Sequence, residues 1–185
     1  RDESRIKQAQ EDIMLPKIER ILYTSTLSPK APYIFRYAIS QAQHYQASIY
    51  FLHVLEPMSS FAQNIVEQYL SEEQRQKLQQ DSLDWLKDKI RKRIQNFCTK
   101  ETCDLDSQDP VAEIMVRQGK AAETILDTAQ SMNVDLIIMG AHRKTRFIPG
   151  FLGSTTRRVI DNSRIPVFCV NTPKDFHDNL ENPVY

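Results

Sequence analysis

Three of the four glycines in the 185-residue chain, Gly140, Gly150 and Gly153, fall in one short segment that runs directly into Ser154 and Thr155. Glycine tolerates positive φ and allows a ligand to approach the backbone, and a helix beginning at Ser154 would offer unpaired N–H groups at the positive end of its dipole. The same segment carries His142, Arg143, Lys144, Arg146, Arg157 and Arg158, with no acidic residue between Gly140 and Ile160. Its local potential is therefore positive. The chemistry that suits this spacing is binding of an anion, phosphate above all. The competing reading is plainer: glycines that permit turns and basic residues that solvate a surface.

Other chemistries fail on spacing. Gly119-Lys120 lacks the earlier glycine of a phosphate-binding P-loop, because Ile114 occupies that place. Asp104, Asp106 and Asp109 begin like a calcium loop, but the sixth position is not glycine and Met115 stands where the bidentate glutamate belongs. His44, His53, His142 and His177 lie in separate segments without metal-ligand spacing, and His53 reads as packed within a sheet. No G-x-S-x-G elbow surrounds Ser154, which reads as a helix cap. Neither a catalytic constellation nor a metal site emerges. Arg91, Lys92 and Arg93 form a solvated helix face.

Twenty-four Lys and Arg balance 24 Asp and Glu, so there is no global basic field to hold nucleic acid. With 41% apolar and 26% charged residues the chain has the composition of one globular domain. Apolar runs such as Val134 to Met139 are too short to cross a bilayer and the first residues are charged, so a cytoplasmic location without membrane contact is expected. Cys98, Cys103 and Cys169 form no C-x-x-C pair and are expected as reduced thiols.

Patterning supplies the elements that must position the glycine-rich segment. Residues 1–15 read as an arm, 16–172 as the domain and 173–185 as a polar tail. Strands are expected from Ile18 to Ser25, Ala47 to Leu55, Val111 to Val116, Val134 to Met139 and Val167 to Val170. Between them, helices are expected from about Pro29 to Gln46 with Ser28 as cap, from about Ser71 to Phe97, after Gly119, and from Ser154 to about Asn162. This alternation predicts an α/β fold: a doubly wound five-stranded parallel sheet with helices on both faces, and a ligand crevice at the strands' carboxyl ends where strand order reverses.

Asp135-Leu-Ile-Ile-Met-Gly-Ala-His142, then Gly153-Ser154, then Ile165-Pro-Val-Phe-Cys-Val170 resemble the universal stress protein family. Arg20 to Pro29, Leu52-His-Val54 and Val116 to Gly119 match its other landmarks, so the resemblance covers Ile18 to Asn171. It implies the adenine nucleotide alpha hydrolase-like form of the fold. The ATP-binding branch carries G-x-x-G, nine residues, then G-S or G-T. Here Gly140, Gly153 and Ser154 match, while Arg143 replaces the second glycine and obstructs the phosphates or supplies a cation. Thr26 stands where the family has aspartate near adenosine, and exchanging a charged acceptor for a hydroxyl costs about 1 kcal/mol.

By resemblance the nucleotide or anion pocket comprises Thr24, Thr26 and Val54 toward the base, Met139, Gly140 and His142 beside it, and Arg143, Gly153, Ser154 and Thr155 at the phosphates. It would take ATP or another adenine nucleotide with magnesium, although the residues themselves assign no cofactor. The resemblance also implies a homodimer through the Val167–Val170 edge and a further protein partner that the sequence does not identify. Two readings follow: a non-catalytic dimeric stress-response module with a weak or degenerate nucleotide crevice, or an ATP-binding protein with slow hydrolysis or nucleotide-controlled signalling.

Overall fold

Runs of β-branched and aromatic residues pair into one parallel sheet, whose crossovers are the helices between them. The computed structural model describes residues 15–57, 72–103, 109–141 and 152–173. In chain order the elements are β1 (Arg20–Thr24), α1 (Ala31–Tyr45), β2 (Ser48–Leu55), α2 (Glu72–Thr102), β3 (Val111–Gln118), α3 (Ala121–Ser131), β4 (Leu136–Gly140), α4 (Ser154–Asn162) and β5 (Val167–Val170). The strands lie in the order β3-β2-β1-β4-β5. The register sets Leu22 beside Tyr50 on β2 and Ile137 on β4, and Thr24 beside Leu52 and Met139. The α/β fold with a doubly wound sheet is thus the one the alternation dictates.

Successive side chains of a strand point to opposite faces, and two cores result. On one face Ile21, Tyr23, Phe35, Phe51, Phe97 and Ile138 pack together beneath α1 and α2. On the other, Leu22, Leu52, Ile125, Ile137, Met139 and Val159 pack beneath α3 and α4. The central strand therefore contributes large buried groups to both sides: Ile21, Leu22 and Tyr23 are fully buried in sequence. A one-residue slip of β1 would invert both cores, which pins the register.

Two helix boundaries differ from expectation. Ser28 does not cap α1. Its carbonyl accepts the Ala31 N–H at 2.8 Å, Pro29 and Lys30 form a turn, and Lys30 occupies the cap position. Pro32 then falls in the first helical turn, where a missing N–H costs nothing. At the other boundary, α2 runs past Phe97 to Thr102. Its extra turn is held by the Arg36 guanidinium, which donates to Glu101 at 2.7 and 3.4 Å and leaves that carboxylate almost completely buried.

The carboxyl half of α2 enters the core through Ile94, Phe97 and Cys98. A 31-residue helix is about 46 Å long, against about 26 Å for an eight-residue strand, so it outruns the sheet. Trp85 and Leu86 accordingly stay exposed, with the Lys89 ammonium 4.6 Å from the Trp85 ring centroid. At the amino end of the sheet, Asp135 accepts the N–H groups of Glu19 and Arg20 at 2.8 and 2.9 Å and so ties β1 to the start of β4.

Candidate functional site

Chain connections leave β1 toward β2 on one side and enter β4 on the other, so the crossovers diverge at the carboxyl ends of β1 and β4. At such a switch point adjacent loops lead away in opposite directions and leave a crevice between them. Thr24 ends β1 directly beside Met139 of β4, and Ser25 extends the pairing by donating its N–H to the Leu52 carbonyl at 3.1 Å. Thr24 shares the parity of Leu22, so it stands on the α3/α4 face together with Met139 and Val54. Thr24 and Met139 are register partners, and Val54 lies on the same face, two residues along β2 from Thr24's partner Leu52.

The same face receives the start of α4. Gly153 is the cap residue and Ser154 the first helical residue, so Ser154 is not the cap that the sequence suggested, and among the described residues no side-chain cap hydrogen bond forms. Among the described residues the leading N–H groups of this helix have no side-chain cap, which suits an anion-binding end. Ser154 is exposed and Thr155 half-buried. Buried Thr156 donates its hydroxyl to the Gly140 carbonyl at 3.1 Å, locking the helix start onto the end of β4, and the Ala141 N–H donates to Val170 at 2.9 Å.

Gly140 has a packing reason for lacking a side chain. A Cβ there would come within 2.6 Å of Ile34 Cδ1, so α1 sits close against the strand on the face away from Thr24 and Met139. Of the other pocket residues expected by resemblance, Thr26 is exposed on the turn after β1, whereas His142 and Arg143 lie outside the described residues, as do Gly150, Lys144 and Arg146. Sequence reasoning missed Ser25, Tyr23 and Thr156, and treated His53 as packing alone. The available signal for Ser25 was a hydroxyl placed immediately after an apolar strand.

Those residues organise the turn. Ser25 Oγ accepts the Leu27 N–H at 3.0 Å, and His53 Nδ1 lies 2.8 Å from the Ser25 carbonyl. The turn forces Leu27 to φ 55°, a left-handed conformation costing about 1–2 kcal/mol in a residue with a Cβ. Tyr23, fully buried, donates its hydroxyl to the Ala31 carbonyl at 3.2 Å, and burial raises its pKa strongly. Burial also lowers the His53 pKa, more than its bond to Ser25 raises it, and the ring stays neutral at pH 7.

Cys98, Cys103 and Cys169 are free thiols. Burial pushes Cys98 to about 12, assisted by the nearby Asp109 and Glu101 carboxylates, so it is held as an unreactive thiol. Among the described residues, no three His, Cys, Asp or Glu side chains converge as a metal site. A separate cleft of about 300 Å³ lies between α2 and β3, far from the switch point in the fold. Its lining mixes Arg91 with Asp109 and Glu113, which suits no ligand of a single sign. Among the described residues no helix is long and apolar enough to cross a membrane.

A parallel sheet whose strand order reverses at the β1/β4 switch point, with helices on both faces, defines a doubly wound α/β domain. The chain belongs to the universal stress protein family, whose sequence profile matches residues 17–171. Universal stress protein MJ0577 of Methanocaldococcus jannaschii is 26% identical over 152 residues, spanning 82% of this chain and 94% of that protein. Universal stress protein MJ0531 of the same organism is 40% identical over a 57-residue stretch, 31% of this chain and 34% of that protein. Among solved structures, UspA of Lactobacillus plantarum superposes with a TM-score of 0.64 at 21% identity, covering 84% of this chain and 99% of that one. A universal stress protein solved in complex with cAMP superposes with a TM-score of 0.54 at 14% identity, covering 84% of this chain and 98% of that one.

Proposed function

We propose that this chain is a non-catalytic stress-response module that binds an adenine nucleotide, or a related phosphate-bearing ligand, weakly in the β1/β4 crevice and works as a homodimer. The observation that carries the reading is the placement of Val54, Thr24 and Met139 on the one sheet face where the start of α4 is pinned by Thr156. An apolar floor beneath a base, with backbone N–H groups within a helix turn for its phosphates, is the minimum such a ligand needs. The cAMP complex of a protein with the same fold supports a nucleotide as the ligand class. Weak affinity is proposed because Thr26 supplies a hydroxyl in place of a charged acceptor.

The dimer is proposed through β5, a four-residue strand at the edge of the sheet with no further strand beside it among the described residues. A slow ATP hydrolase is the less favoured reading, since no described residue at the crevice is placed as a general base or metal ligand.

Thermal unfolding with increasing ATP and magnesium tests the pocket. The midpoint is expected to rise only at millimolar ligand, by mass action, and the rise is expected to vanish in Gly153→Trp, which fills the space before α4. A rise that saturates at micromolar ATP would overturn the weak-site reading, and no rise at any concentration would overturn nucleotide binding altogether.

A further inference from the structure

Ser25 is fastened at each of its polar groups. Its N–H donates to Leu52 at 3.1 Å, its Oγ accepts from Leu27 at 3.0 Å, and its carbonyl faces His53 Nδ1 at 2.8 Å. A carbonyl only accepts, so Nδ1 carries the proton in this geometry and Nε2 does not when the ring is neutral. His53 alternates with Leu52 and Val54 along β2, so its ring reaches the turn from the α1/α2 face, behind Val54, Thr24 and Met139. Within residues 24–28, Thr26 alone is exposed, held between the two residues that these bonds restrain. Leu27, at φ 55°, keeps a backbone conformation that persists only where its surroundings impose it.

We infer that His53 is a positioning residue for the crevice: its Nδ1–H bond to the Ser25 carbonyl sets, from behind the sheet, the turn that presents Thr26 to a ligand. The ring touches no ligand in this arrangement and acts through Ser25. The inference rests on the crevice being a ligand site, while the dependence of the turn on His53 stands on the geometry alone.

The test compares His53→Leu, which keeps bulk without a donor, with His53→Asn, whose amide N–H can take the place of Nδ1–H. ATP affinity is read by calorimetry on the intact chain, and the exchange rate of the Leu27 amide by NMR. His53→Leu is expected to weaken ATP binding by about tenfold and to speed Leu27 exchange by about as much, the loss of one buried bond. His53→Asn is expected to restore both to within about threefold of the parent. Unchanged Leu27 exchange in His53→Leu, or equal losses in both variants, would overturn the inference. If the parent chain binds no ATP, the crevice reading fails by itself, and Leu27 exchange still decides the role of His53. Should His53→Leu fail to fold, the ¹⁵N shifts of the parent imidazole decide: protonated Nδ1 with bare Nε2 supports the assignment, and protonated Nε2 with bare Nδ1 overturns it.

Discussion

The two faces of the sheet near its carboxyl edge are built for different work. On the α3/α4 face, Thr24, Val54 and Met139 lie near a helix start that no described side chain caps. On the α1/α2 face the corresponding positions are filled: Tyr23 is fully buried and anchored to Ala31, His53 is bound to Ser25, and Ile34 closes over Gly140. Thr24 and Met139 are themselves buried and Val54 half-buried, while the second face fixes the backbone through the Tyr23 and His53 hydrogen bonds. A crevice of this type therefore needs a rigid rear wall, because donors aimed at a ligand lose their value when a turn can relax.

The comparison breaks most severely at Phe35, whose ring lies 5.0 Å from Tyr23, 5.2 Å from Phe97 and 5.8 Å from Phe51. Phe35→Ala leaves a cavity in the rear core and is expected to cost about 3–5 kcal/mol, measured by urea unfolding. Val54→Ala, on the α3/α4 face and only half-buried, is expected to cost about 1 kcal/mol in the same assay. Equal losses would show that the two faces carry the fold alike.

The rear face has one open margin. Phe168 on β5 and Tyr37 on α1 are 38% and 39% exposed, their rings 6.3 Å apart, beside the unpaired edge of the sheet. If a second copy covers this margin, as proposed, Phe168→Glu places a charge at its centre and is expected to turn dimer into monomer at tens of micromolar in light scattering, with the unfolding midpoint of the monomer little changed. The opposite edge differs: β3 carries exposed Glu113 and Arg117 and an irregular register against β2 between Ile49 and Tyr50, features that discourage further pairing. A parent chain that is already monomeric at that concentration would remove the basis for the difference.

The smallest expected effect concerns pH. Burial lowers the His53 pKa in the folded state below the ordinary value of 6.5, so the unfolded chain takes up this proton first as pH falls. The contribution of neutral His53 to stability is fully present above pH 6.5 and declines as pH drops from there toward the lowered folded-state value. His53→Asn is expected to flatten that part of the stability profile, measured by denaturant unfolding between pH 7.5 and about 5. An identical slope in parent and variant would show that the ring titrates as freely in the fold as outside it.

Much of the fold was legible because its signals are local. The run Ile21, Leu22, Tyr23 can be buried whole only in a strand covered on both faces, and β5 and α4 fall on the boundaries that Pro166, Ser154 and Asn162 mark. The start of α1 was misplaced because Ser28 uses its carbonyl, not its hydroxyl, toward Ala31, and the end of α2 because Arg36, far away in the chain, holds Glu101. At the candidate site, the family resemblance pointed to Thr24, Val54 and Met139, and the glycine-rich segment itself to Gly153 and Ser154. The pairing of Ser25 with His53 had no such mark, since a hydrogen bond spanning 28 residues has no local signature.

What the sequence alone determined is the alternation of strands and helices, hence a parallel sheet, and the family to which 17–171 belongs. Periodicity and turn chemistry act over a few residues and survive in one dimension. Only the tertiary structure decided that β1 lies between β2 and β4, that these candidate residues share a face, and that Gly140 is shaped by Ile34. Those facts depend on which strands become neighbours and on the pleat that sends adjacent side chains to opposite sides, and both are properties of the packed sheet as a whole.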